Sequence, residues 1–406
     1  MRRAIMGRPR SLEMRPALSP KSPSFAACLS VMLRLALLCL PLLLALASVA
    51  SAAPDLAELQ RRADGGDAAA LFALGKAYQH GLDVRHDQQK ALAYYRRAAA
   101  LDHWPSVNNL AAAYERGDGV RTDAARALAL YQRAAAAGYA VAQYNLAAAL
   151  LKAKPGDAEA DRRAAGLLRQ AAEQGHVNAE RGFAEMLQNG RGVARDRAQA
   201  VDWLRKAAAA GCAPAKTSLA LAYQRGLGLP ADLSVAVALY REAAEAGDPA
   251  AQHNLGLRYA RGEGVARDDA AALSWFRKAA DQDFAYSLNA LGVMHMRGTV
   301  VAQNLGEALR LFRLSAERGN VDGQTNLGAF YRDGTRVAAD PVQALMWLTL
   351  AAAQNGADAR SALDGLKPKL TPAQIRKGEE MARRWRPRPA ASGSGATTQE
   401  RACETE

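Results

Sequence analysis

Apolar residues in this chain recur at helical spacing, and the pattern itself recurs. With Leu255-Gly256 as the anchor, like pairs stand at Leu74-Gly75, Leu110-Ala111, Leu146-Ala147, Phe183-Ala184, Leu219-Ala220, Leu291-Gly292 and Leu327-Gly328. The interval is 36 residues throughout, except for 37 between Leu146 and Phe183. Four residues after each anchor comes Tyr78, Tyr114, Leu150, Leu187, Tyr223, Tyr259, His295 or Tyr331. That is one turn along the same helix face. A glycine follows in every unit but the third, which has KAKPGD instead. Glycine there suits the left-handed position that ends a helix.

A polar residue then opens a second helix: Asp87, Asp123, Asp161, Asp196, Asp232, Asp268, Asn304 or Asp340. Asp and Asn are good N-caps, and an acid there complements the helix dipole. The second helix carries an alanine, then an aromatic or leucine such as Tyr240 or Phe276, then an Ala-Ala pair such as 243–244. Each unit thus reads helix, turn, helix, turn. One unit alone cannot bury its apolar stripe, but stacked units share a continuous core. The pattern predicts an all-α solenoid of about eight 36-residue helix-turn-helix repeats over 67–355.

Composition agrees. Alanine dominates, aromatics are only 6%, and long Val/Ile/Thr runs are missing. Alanine is the strongest helix former.

The ends differ from the array. Residues 32–52 begin with Arg34, continue as a short apolar run and finish at Ala50-Ser51-Ala52. This is the pattern of a cleaved signal peptide, too short for a comfortable membrane span. Residues 1–52 are therefore expected to be an export signal, with Met32 as an alternative start. Residues 53–66 should form a helical cap. At the other end Thr371 can cap a helix whose first residue is Pro372. Residues 356–386 are expected to close the array, with Ile375, Ala382 and Trp385 covering the last repeat. Residues 387–406 read as a disordered tail.

The formal charge is +13, but residues 1–52 hold seven basic residues and one acid, leaving +7 on the rest. Acids and bases alternate, as on solvated helix faces. Nucleic-acid binding would want a dense basic stripe with stacking aromatics, and none precedes 383–389. Beyond residue 52 only Cys212 and Cys403 remain, 191 positions apart. A disulfide framework usually needs more and closer cysteines, so packing is expected to carry stability.

The units L-G-x2-Y, G-x-G-V-x-x-D and Ala-Ala, clearest at 251–283, resemble the Sel-like repeat (SLR), a relative of the tetratricopeptide repeat. The closing Met346-Trp347, Leu350-Ala351-Ala352 and Leu370-Thr371-Pro372 resemble the family's usual end. The resemblance implies a right-handed superhelix with a protein-binding concave groove. One family branch carries a cysteine pair in each repeat and is linked to β-lactam-like compounds. This sequence lacks those pairs, so that activity is not carried over.

Catalytic chemistry is not visible. The six histidines His80, His86, His103, His176, His253 and His295 form no metal-ligand spacing. No nucleophile elbow occurs, and acid pairs such as Asp268-Asp269 sit where caps belong. The expectation is no enzyme, no cofactor and no metal. RGEGVARD at 261–268 has the look of a phosphate loop, but it follows a helix and has siblings at 115–123, 188–196 and 224–232. A motif repeated at fixed period is architecture. Arg116, Arg225, Arg261 and Arg297 precede turn glycines, where a cation is an ordinary helix stop.

By the resemblance, the residue before each anchor faces the groove. Candidates there are Asn109, Asn145, Asn254 and Asn326, with Gln143, Gln252 and Gln324 close by in three of the same repeats. A side-chain amide both donates and accepts, which suits an extended peptide backbone. The same residues could instead bond neighbouring repeats and fix their stacking. The reading is an exported scaffold, periplasmic or secreted, that binds a protein or peptide in the bacterial cell envelope. It would bind no nucleic acid and would meet a membrane only through its export signal. The alternatives are a scaffold or regulator of polysaccharide or peptidoglycan machinery, and a hydrolase of cell-wall or β-lactam compounds.

Overall fold

The computed structural model describes residues 55–388 and Cys403. Among them are 19 α-helices and no strand, paired as an all-α solenoid. The chain divides into two compact units, one up to Tyr94 and one from Tyr95 onward. In the first, Leu56–Asp64 packs against Ala68–His80. The Asp67 carboxylate caps the latter by accepting from the Ala69 and Ala70 amides at 2.9 and 3.1 Å. The Tyr94 hydroxyl donates to Gln60 at 2.8 Å, and its ring stacks on Tyr78 at 5.7 Å.

In the second unit each repeat pairs a first helix with a second. Repeat 6 pairs Pro249–Arg261 with Asp269–Asp281. Tyr95, Tyr131, Tyr240, Phe276 and Phe312, all from second helices, are the most deeply buried rings. The small second residue of each anchor makes room for them. A Cβ on Gly256 would lie 2.8 Å from the Phe276 ring, and one on Gly292 would lie 2.6 Å from Phe312. Asp268 caps the second helix of repeat 6, its Oδ1 accepting from the Ala271 amide at 2.8 Å. Asp268→Ala should lower stability by about 1 kcal/mol, read as a lower midpoint in thermal or urea unfolding.

The first turn glycine ends its helix, as Gly262 does at φ +67°. The second has another task, visible at Gly228 (φ +80°). A Cβ there would stand 2.2 Å from the carbonyl oxygen of Arg197, the first residue of repeat 4's second helix. The turn of one repeat therefore rests directly on the backbone of the previous one. Repeat 7 keeps this left-handed conformation without glycine, at Val300 (φ 66°). A β-branched residue is strained there. Since Val300 is exposed, Val300→Gly should raise stability by about 1 kcal/mol, as a higher unfolding midpoint.

Two sequence expectations need correction. Asp161 does not open the second helix of repeat 3. That helix runs Ala158–Glu173, and Asp157 caps it through the Ala160 amide at 2.8 Å. The preceding helix ends at Ala153 with Lys154 (φ −136°), not a left-handed glycine, as its C-cap. Gly156 turns left-handed only two residues later (φ +78°), and the next helix restarts one turn early. Asp161 is thereby buried within the first turn and paired with Arg191 at 2.7 Å.

The second correction concerns the cysteines. Cys212, fully buried at the start of repeat 5's first helix, is disulfide-bonded to Cys403, with Cα atoms 4.3 Å apart. Cys403 lies beyond the last repeat, so the repeat spacing gives no measure of its distance from Cys212.

At the C-terminal end Thr371 and Gln374 form a capping box on Pro372–Arg384. Ala382 is buried, Trp385 meets Trp347 edge-on at 5.9 Å, and Ile375 packs beside Leu345 and Leu348. Residues 1–52, expected to be an export signal, and residues 389–402 and 404–406 of the expected tail lie outside the described residues.

Candidate binding site

The amide candidates occupy the seams between repeats. Gln143, Gln252 and Gln324 are buried. Each donates to a carbonyl of the preceding repeat's second helix: Ala135 at 3.4 Å, Ala244 at 3.1 Å and Ala316 at 3.4 Å. Each accepts from a glutamine at the end of its own repeat: Gln174 at 2.8 Å, Gln282 at 2.9 Å and Gln354 at 3.1 Å. Gln282 and Gln354 reach on to the turn carbonyls of Gly247 and Gly319 at 3.0 and 3.3 Å. At the Gln252 and Gln324 seams, two amides in series thus tie the repeat to the preceding helix and its turn.

The half-buried asparagines behave similarly. Asn145 Nδ2 donates to Asn108 of the preceding repeat at 2.8 Å, and Asn326 donates to Asn289 at 2.8 Å. Asn109 bonds the Tyr95 hydroxyl, and burial raises that phenol's pKa against this bond. Of the four, the Asn254 side chain makes no hydrogen bond among the described residues.

Beside Asn254, His253 lies against Phe276, Phe284 and Tyr286, with ring centroids 5.4–5.9 Å away. Its Nδ1 is 2.9 Å from the Ser287 hydroxyl. Burial, aided by the Arg261 charge, pushes its pKa down to about 4. An unfolded histidine titrates near 6.5. The stability contributed by the neutral ring is therefore present above about pH 6.5 and lost as pH falls toward 4. The thermal midpoint should fall between pH 7 and pH 5, and this fall should be smaller in His253→Gln.

Sequence reading missed a cavity of about 190 Å³ in repeats 3 and 4, lined by Tyr144, Leu151, Leu168, Arg181, Met186 and Asn189. The available signal was Gly182, which stands where four other repeats place asparagine. Among the described residues no group of three or more His, Cys, Asp or Glu could hold a metal ion. No described helix is long and apolar enough to cross a membrane.

A family model, the Sel1 repeat, matches eight consecutive segments: 68–103, 104–139, 140–176, 178–212, 213–248, 249–284, 285–320 and 321–356. The chain belongs to the Sel1 repeat family. Its Sel1 array is similar to the crystal structure of c5321, a protective antigen of uropathogenic Escherichia coli strains with an SLR fold. The identity is 31% and the TM-score 0.56, over 82% of this chain and 71% of that one. A Sel1 repeat protein from Oxalobacter formigenes is 29% identical with a TM-score of 0.52, over 78% of this chain and 91% of that one. No curated protein sequence matches the chain. The Sel1 fold is typical of protein–protein interaction scaffolds, and Sel1 repeat proteins generally bind proteins.

Proposed function

We propose that this chain is an exported, non-catalytic Sel1 scaffold that assembles or regulates proteins of the bacterial cell envelope. The observation that carries the reading is the uninterrupted run of eight Sel1 repeats over 68–356. The signal-like segment at 32–52 supports the exported compartment of this reading. The Cys212–Cys403 bond agrees, because disulfides persist where the surroundings are oxidising.

The test is affinity capture by residues 53–406 from envelope extract. Specific retention of a protein partner is expected. Retention of nothing, with the helical circular-dichroism spectrum intact, would contradict the proposal. Export is checked separately by fusing residues 1–52 to a reporter enzyme that is active only outside the cytoplasm.

A second reading, service to polysaccharide or peptidoglycan machinery, draws on Tyr286. It is 56% exposed and extends the ring cluster of His253 and Phe284 to the surface. Retention of glycan but no protein would favour it.

A further inference from the structure

The position two residues before each anchor is used alike in most of the second unit. Thr217 Oγ1 donates to Asp248, which opens the next repeat's first helix, at 2.9 Å. Tyr144 stacks on His176, and His253 packs on Phe284, at the equivalent places, with centroids 5.0 and 5.6 Å apart. Asn108 and Asn289 accept from the next repeat's asparagine. In each case this side chain binds the neighbouring repeat.

Arg181 occupies the same position in repeat 4 and does not. Its half-buried side chain makes no hydrogen bond or close ion pair among the described residues, and its Nε is buried without a partner. Its charge acts only at longer range on Asp248, whose carboxylate is already taken up by Thr217 and the Ala251 amide. A buried charged donor left unpaired is unfavourable, and native structures rarely keep one without a reason. The adjoining Gly182 removes the asparagine of the other repeats. A Cβ there would already lie 3.2 Å from Leu168. The missing side chain helps open the cavity of about 190 Å³ beside Arg181.

The cavity's chemistry is two-sided. Leu151, Leu168, Met186 and the Tyr144 ring give an apolar wall, and Arg181 and Asn189 give donors. Arg191, also on the lining, is already neutralised by Asp161 at 2.7 Å. The one acid on the lining, Glu185, is exposed. The volume is below the roughly 300–1,000 Å³ of small-molecule and cofactor pockets, and suits a single side chain. A guanidinium fork matches a carboxylate through two parallel bonds.

We propose that this cavity is a peptide-binding site that takes an aliphatic side chain adjoining a carboxylate, with Arg181 pairing the carboxylate. The proposal rests on the scaffold reading and deepens it. The carboxylate comes either from a peptide's C-terminus or from an internal acidic side chain.

Three fluorescein-labelled peptides on the full chain test it: one ending in leucine with a free carboxylate, its C-terminal amide, and an amidated peptide with an internal Glu-Leu pair. Wild-type protein should bind a carboxylate-bearing peptide at least about tenfold more tightly than the neutral amide. Preference for the first peptide assigns the site to chain ends, and preference for the third assigns it to internal acids. Arg181→Met, which keeps the aliphatic stem, should abolish the preference without changing the thermal midpoint. Equal binding of all three peptides, or an Arg181→Met variant with undiminished preference, overturns the proposal. If no peptide binds while the full chain still captures envelope protein, the site assignment falls and the scaffold reading stands. If the carboxylate preference holds while extract yields no partner, the site stands and the scaffold reading falls.

Discussion

Gly228→Ala is expected to lower the stability of the array by about 3 kcal/mol or more, a far larger loss than alanine normally causes at a turn. Two effects add. At φ +80° any side chain pays the left-handed penalty, about 1–2 kcal/mol. The new methyl would also stand 2.2 Å from the Arg197 carbonyl oxygen and 2.4 Å from its carbon, so the turn must lift off the preceding helix. Neither contact is with a flexible side-chain end that could swing away. Gly66→Ala is the control: its φ is +85°, yet nothing lies within 4 Å of its Cβ position. It should show only the backbone penalty. Urea unfolding of both variants separates the two contributions, and equal losses would mean that the repeat-to-repeat contact matters little.

The second large effect concerns the disulfide. Cys403→Ser should remove up to about 5 kcal/mol, the loop-closure value for a cross-link spanning nearly 200 residues. Only the array beyond Cys212 lies inside the closed loop, so the loss should appear as earlier melting of repeats 5–8. Hydrogen exchange read by mass spectrometry locates it. Reductant should bring the wild-type midpoint down to that of Cys403→Ser and leave the variant unmoved. A wild-type midpoint indifferent to reductant would show that the cross-link contributes nothing.

Much of this fold was legible in the sequence because repetition turns weak signals into strong ones. A single Leu-Gly pair says little, but eight such anchors in register, four of them Leu-Gly, fix the helices, and the glycine's purpose becomes visible once Phe276 is seen against Gly256. The caps Asp232, Asp268 and Asp340 are legible for the same reason. Asp161 was misplaced because KAKPGD breaks the register: the helix starts one turn early, at Asp157, and Asp161 then points inward to Arg191. The cysteine pair was not legible, since Cys403 lies outside the repeats and their period says nothing of where it sits.

The candidate groove residues show a different limit. Sequence position places Gln252 and Asn145 near one helix face, but whether an amide points at a ligand or at the next repeat depends on what stands opposite. Here Gln282 and Asn108 stand opposite, and the amides close the seams. Arg181 drew no attention because a lone arginine on a helix usually reads as solvated surface. Only the structure shows that most of its equivalents bind a neighbour and that its own Nε is left without a partner.

Seam amides as architecture and Arg181 as recognition are most directly separated by one paired measurement. Thermal unfolding and affinity for the same captured envelope partner are read side by side in Gln252→Ala and Arg181→Met. The account predicts a lower midpoint with unchanged affinity for Gln252→Ala, and an unchanged midpoint with weakened affinity for Arg181→Met. The reverse pattern, with Gln252→Ala losing the partner at full stability and Arg181→Met keeping it, would contradict the account.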